Sequence, residues 1–262
     1  MTHTNFSVER RASVARVTLN RPEVHNAFND ELISEAIDVF GELSDDRETR
    51  VIVLAGSGAN FCAGADLNWM ARMATYTREE NVRDSARLAR MFAVINAARV
   101  PVVGRVQGAA IGGGVGLVAV CDIAIGTATS KFGLSEVKLG ILPAVISPYV
   151  IAKIGESHAR ALFLTGERFG ADRAKEIGLL HAIAADEAEL DRMIEEKVSQ
   201  LLSSGPEAVA ECKKLIEFVV GHPPEESIPH TIEAIAERRA SAEGQAGMGA
   251  FLKKEKPPWV AR

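Results

Sequence analysis

Two stretches of small residues, each placed after an apolar strand, carry the chemistry legible in this chain. The first is Phe61-Cys62-Ala63-Gly64-Ala65-Asp66-Leu67. The second runs from Gln107 to Gly116 and contains Gly112-Gly113-Gly114. Where a strand gives way to a helix without bulky side chains, the backbone can come close to a ligand and aim N–H groups at it. Two such bends can supply the paired donors of an oxyanion hole. Removing one donor from such a hole typically costs about 2.7–4 kcal/mol of transition-state stabilisation. If the bends converge, the chain is an enzyme that stabilises negative charge on a carbonyl oxygen.

The elements that must position these bends follow from periodicity. Residues 14–19 alternate as a strand, and Asn20-Arg21-Pro22 ends it. From Asn29, a plausible N-cap, the residues Leu32, Ile33, Ala36, Ile37, Phe40 and Leu43 fall at helical spacing. Residues 51–55 form a wholly apolar strand, as expected inside a sheet covered on both faces. Residues 72–87 are polar and charged, and read as a mobile surface segment bordering a pocket. A helix is expected over 88–98, a strand over 100–106, a helix over 111–120 and a strand over 121–126. This alternation implies an α/β core. The last third reads as helices over 158–163, 171–177, 187–202, 206–220 and 225–242. With no strand there, it is expected to be an appendage on the core or on a neighbouring subunit.

Composition narrows the function classes. The chain has 262 residues, 47% hydrophobic and 25% charged, as in an ordinary soluble globular protein. A net charge of −5 argues against a nucleic-acid partner. Cys62, Cys121 and Cys212 lie at no metal spacing and are expected to be buried reduced thiols, which suits a cytoplasmic location. Residues 1–5 lack a basic region followed by an apolar one, so no secretory signal is expected, and the apolar run at 109–121 is shorter than the about 20 residues that cross a bilayer. No phosphate-binding G-x-x-x-x-G-K-[ST] occurs. Leu117 spoils the dinucleotide pattern G-x-G-x-x-G, and no G-x-S-x-G elbow is present. The histidines form no H-x-x-x-H pair, so no metal site is expected.

The chain resembles the enoyl-CoA hydratase/isomerase (crotonase) superfamily almost end to end. The matching pieces are Leu19-Asn20-Arg21-Pro22 with Asn26-Ala27; the Phe61–Leu67 bend; and Gly108 through Gly116 with Cys121-Asp122. They continue with Phe132-Gly133, Glu136 through Gly140 and Pro143, then Leu164-Thr165-Gly166, Ala174, Gly178-Leu179 and Gly247 through Phe251. The resemblance implies an α/β spiral of β-β-α units over residues 1–200. It also implies a C-terminal helical region over 201–262 that builds a homotrimer or a hexamer.

It further implies an acyl-CoA thioester as substrate, with no cofactor beyond the coenzyme A that the substrate carries. The backbone N–H groups of Ala63 and Gly113 are the expected oxyanion donors for an enolate. Contacts to coenzyme A are expected from Asn26, Ala27, Ala63, Asp66, Leu67 and Gly113, and from Lys254 of a neighbouring subunit beside Lys253. Asp66 reads equally well as a helix N-cap.

Hydratases of this family usually carry two glutamates. The second is present as Glu136, the expected general acid/base, whose apolar neighbours would raise its pKa if it is buried. A surface pairing with Lys131 or Lys138 is the plainer reading. At the position of the first glutamate stands Gly116, which cannot move a proton. A hydratase would then need a second water, a hydroxyl from Ser147 or Tyr149, or a carboxylate on the substrate lodged in the space left at Gly116. A Δ3-Δ2 enoyl-CoA isomerase would need Glu136 alone, and a non-catalytic acyl-CoA-binding protein would need neither. Residues 66–70, 116–118, 134–137 and 143–150 resemble bacterial methylglutaconyl-CoA hydratases of leucine breakdown. Trp69, Gly116, Val145, Ile146 and Tyr149 are then expected to shape the acyl pocket.

Overall fold

The computed structural model describes residues 4–260. The chain opens with β1 (Phe6–Arg11), β2 (Val14–Leu19) and α1 (Asp30–Asp45), followed by β3 (Val51–Gly56), α2 (Leu67–Met73) and α3 (Arg78–Asn96). Next come β4 (Val102–Val106), β5 (Ala109–Ile111), α4 (Gly113–Val120), β6 (Ile123–Thr127) and β7 (Lys131–Gly133). A 3-10 turn over Ser135–Leu139 leads into α5 (Ser147–Thr165), β8 (Arg168–Gly170), α6 (Ala171–Glu176) and β9 (Ala182–Ala184). The chain closes with α7 (Glu187–Leu202), α8 (Pro206–Gly221), α9 (Pro224–Ala240) and α10 (Ala242–Lys253).

Successive β-β-α units wind into two sheets. The larger has the order β1-β2-β3-β4-β6-β9, antiparallel only between β1 and β2. The smaller has the order β5-β7-β8. The α/β spiral expected from the resemblance is therefore present. Every residue of β3 is buried because both faces of the large sheet are covered. Ile52 and Leu54 join the main core with α1 and α3, whereas Val51 and Val53 meet Leu190 and Ile194 of α7. Side chains alternate across a strand, so one apolar run serves two cores.

Several expectations change. The polar segment at 72–87, expected as a mobile surface segment bordering a pocket, is the end of α2, a turn over 74–77 and the first half of α3. Thr77 and Glu80 form a capping box that starts α3, and Met91, Phe92 and Ile95 anchor its far half. The last third is not strand-free: β8 and β9 are only three residues each, too short to show alternation. A separate α10 follows α9 where Ser241 caps it, its hydroxyl accepting from Gly244 N. Helices α8, α9 and α10 pack on one another, and the boundary expected between residues 200 and 201 lies in the last turn of α7. Cys62 and Cys121 are buried, but Cys212 is exposed on α8. Among the described residues no helix is long and apolar enough to cross a membrane, and no cluster of side chains could hold a metal ion.

Candidate active site

The two bends converge. Cys62 N donates to Ala109 O and Ile111 N donates to Cys62 O, both at 3.0 Å, so the first bend pairs with β5 just ahead of the second. The approach is closer than side chains would permit. A β-carbon on Gly114 would lie 2.2 Å from Cys62 O. One on Gly64, whose φ is +90°, would lie 2.7 Å from Ile111 O and 3.7 Å from Gly113 N. The glycines therefore let two backbone segments meet.

Which amides remain free differs from expectation. Ala63 N donates to His25 O at 3.0 Å, so its hydrogen is already engaged. Two residues on, Phe28 N donates to Gly64 O at 2.6 Å and Asp66 N donates to Phe28 O at 2.8 Å. This parallel bridge turns the intervening Ala65 N–H away from Phe28, and among the described residues it meets no acceptor. Gly113 N, in the first turn of α4, likewise meets none, while the preceding Gly112 N is held by Gly133 O at 2.8 Å. The open pair is thus Ala65 and Gly113, not Ala63 and Gly113.

Glu136 faces this pair's neighbour. A β-carbon on Gly112 would lie 3.0 Å from Glu136 Oε1 and 3.5 Å from its carboxyl carbon. Gly112 has φ 53° and ψ −118°, which suits glycine alone. Glu136 Oε2 is buried without a hydrogen-bond partner, and no ion pair to Lys131 or Lys138 forms among the described residues. Burial pushes the Glu136 carboxyl above its ordinary range, opposed only by its own backbone N–H.

The place at Gly116 is filled. A β-carbon there would lie 2.3 Å from Ile146 Cγ2 and 2.9 Å from Phe92 Cε1. The space expected to receive a substrate carboxylate is therefore taken by apolar side chains. Ser147 offers no free hydroxyl hydrogen either, since its Oγ donates to Ala144 O at 2.7 Å. Tyr149 and Val145 are half-buried against the core, and the Tyr149 ring lies 6.2 Å from that of Phe92. Trp69 is buried, its Nε1 donating to Asp84 Oδ1 at 3.4 Å.

The expected coenzyme A contacts divide. Asn26 is fully buried: its Nδ2 donates to Ser57 O and Asn60 O, and its Oδ1 accepts from Arg21 N. That side chain ties the entry loop together rather than facing a ligand, and Ala27 beside it is buried too. Asp66 is the N-cap of α2, accepting from Asn68 N at 2.8 Å and from Arg21 Nη2 at 3.0 Å. Burial alone would raise its pKa, but the Asn68 amide, the Arg21 guanidinium and the Trp69 amide outweigh it and bring the carboxyl down. Leu67 projects outward at the rim. Lys254 is exposed at the C-cap of α10, and no hydrogen bond joins it to the bends of its own chain. Phe28 and Phe92, which no local pattern singled out, prove to back this wall. Phe28 Cε2 would meet a β-carbon on Gly113 at 2.4 Å.

Comparison with known proteins agrees with this arrangement. The family model for enoyl-CoA hydratase/isomerase matches residues 9–262. An enoyl-CoA hydratase structure from Shewanella pealeana superposes with a TM-score of 0.95 at 40% identity, covering 98% of this chain and 96% of that one. AtuE of Pseudomonas aeruginosa does so with 0.95 at 36% identity, covering 98% and 100%. The short-chain-enoyl-CoA hydratase of Clostridium acetobutylicum is 31% identical over 255 residues, 96% of each chain. A β-β-α spiral with converging glycine bends beside a buried carboxyl defines an enzyme of the crotonase superfamily. The chain belongs to the enoyl-CoA hydratase/isomerase family.

Proposed function

We propose that this enzyme adds water across the 2,3 double bond of an acyl-CoA thioester, and that the acyl group is branched or of methylglutaconyl type. The observation that carries the reading is the meeting of the two bends, which leaves the amides of Ala65 and Gly113 without acceptors and sets Glu136, its Oε2 unpartnered, against Gly112. The thioester oxygen accepts from both amides. As water oxygen bonds to Cβ, the carboxylate takes a water proton, and charge collects on the thioester oxygen as an enolate. The amides hold that charge without reorganising. Glu136 then returns a proton to Cα and ends as it began. Coenzyme A enters with the substrate, and no further cofactor is required. The exposed Ile216, Val220, Ile232, Phe251 and Leu252 of α8–α10 support association of chains as a trimer or hexamer.

A second reading, Δ3-Δ2 enoyl-CoA isomerisation, is favoured by one observation: Ile146 fills the place beside Gly116, where hydratases of the family usually carry their first glutamate, and isomerisation would need Glu136 alone. The test supplies the purified protein with 2-enoyl-CoAs and 3-enoyl-CoAs in turn. Hydration adds the mass of one water; migration changes no mass. Migration without hydration would replace the first reading with the second. Comparing 3-methylcrotonyl-CoA with methylglutaconyl-CoA asks whether a distal carboxylate matters, and equal rates would remove it from the account.

A further inference from the structure

One residue touches both halves of the amide pair. Phe28 joins the first bend through its main chain: its N–H donates to Gly64 O at 2.6 Å, and its carbonyl accepts from Asp66 N at 2.8 Å. These two bonds straddle Ala65 and fix the direction of its amide. The ring of Phe28 reaches the second bend. Its Cε2, Cδ2 and Cζ would lie 2.4, 3.0 and 3.5 Å from a β-carbon on Gly113, so the ring stands where any side chain at 113 would go. Phe28 is itself tied down. Upstream, the buried Asn26 donates to Ser57 O and Asn60 O, and Arg21 Nη1 donates to Ala27 O at 2.6 Å. Downstream, Asn29 caps α1 and accepts from Leu32 N at 2.8 Å. The buried Phe92 meets the Phe28 ring edge-on, with centroids 6.2 Å apart.

We propose that Phe28 is the positioning residue of the oxyanion pair: its main chain aims the Ala65 amide, its ring seats Gly113, and the stiff side chain between them sets the spacing of the two donors. This rests on the acyl-CoA reading above. One oxygen accepts from two amides only when both lie about 2.7–3.1 Å from the place where its charge develops. Ala65 and Gly113 come from segments far apart in the chain, so something must fix the gap between them. A phenyl ring does so because it keeps its shape, whereas an aliphatic chain of similar bulk changes shape by rotation about its bonds. A misplacement of about 1 Å can cost about 10²-fold in rate. A residue that merely filled the core would affect stability and leave a bound carbonyl undisturbed.

The carbonyl stretch of a bound thioester reports the donors directly, since each hydrogen bond that the oxygen accepts lowers its frequency. Infrared difference spectra of butyryl-CoA and isovaleryl-CoA, isotope-labelled at the thioester carbonyl, are compared among wild type, Phe28→Leu, Phe28→Met and Phe40→Leu. Phe40 is the control: it is buried in the same core, ten residues along α1 from its first residue, about 15 Å by helical rise. On wild type the band should fall below its position in the free thioester. Phe28→Leu should undo much of that fall and lower kcat about 10–100-fold, more than it raises KM. Phe40→Leu should lower the melting temperature as much, yet keep the band and kcat. Phe28→Met carries the comparison should the leucine variant fail to fold. A band unmoved in folded Phe28 variants, or moved equally by Phe40→Leu, would overturn the role of Phe28 alone. Wild type that binds neither thioester, or binds them with no shift of the band, would overturn the acyl-CoA reading itself.

Discussion

Glu136 lies against the backbone of Gly112, where a β-carbon would sit 3.0 Å from its Oε1. A carboxyl and a glycine so placed depend on each other: the missing side chain is what lets the proton carrier reach the amide-lined bend.

Replacing Glu136 with Gln keeps the shape and removes the titrating proton. The rate of the catalysed reaction should fall about 10²–10⁴-fold. Burial raises the folded pKa above the ordinary 4.5, so the native state holds this proton more tightly than the unfolded chain. Stability contributed by the protonated form is present below 4.5 and is lost as pH rises through the folded pKa. The Gln variant should therefore melt above wild type at neutral pH, with the gap closing in acid. The acid limb of the wild-type rate profile should lie above the ordinary carboxylate range. Melting curves and rates across pH check both.

Gly112→Ala should harm the enzyme twice. The residue would sit at φ 53°, a strain of about 1–3 kcal/mol, and its methyl would push Glu136 aside. Denaturant unfolding should show the loss and kcat should drop with it. Gly41→Ala is the control, since it has open space around it on α1 and should stabilise by about 0.5–1 kcal/mol.

The amides of positions 63 and 65 can be told apart by replacing each residue with its α-hydroxy acid, which removes one N–H and makes the preceding carbonyl a weaker acceptor. At 65 the rate should fall about 10²–10³-fold, since an oxyanion donor is lost there. At 63 the bond to His25 O is lost, costing about 0.5–1.5 kcal/mol of stability with kcat largely kept. The reverse pattern would assign the donor to Ala63.

Thiol labelling should divide the cysteines. Burial pushes the Cys62 and Cys121 thiols up to about 12, and neither is open to reagent. Cys212 is exposed. Native protein should therefore consume one equivalent of reagent quickly and three only after unfolding, as mass spectrometry would count.

Much of the outline was legible in residue order. The apolar run at 51–55 and the amphipathic spacing after Asn29 dictate their strand and helix because burial follows side-chain periodicity. The small residues at 61–66 and 108–116 dictate two tight bends because little else tolerates them. What stayed hidden was partnership. Nothing near Ala63 tells that the carbonyl of His25 takes its hydrogen, leaving Ala65 open. Nothing near Gly116 tells that Ile146 and Phe92 fill its flank. The sequence by itself determined that two backbone turns and one glutamate exist. Only the tertiary structure decided which amides face outward and what stands beside the carboxyl, because hydrogen-bond partners and packing neighbours come from segments distant along the chain.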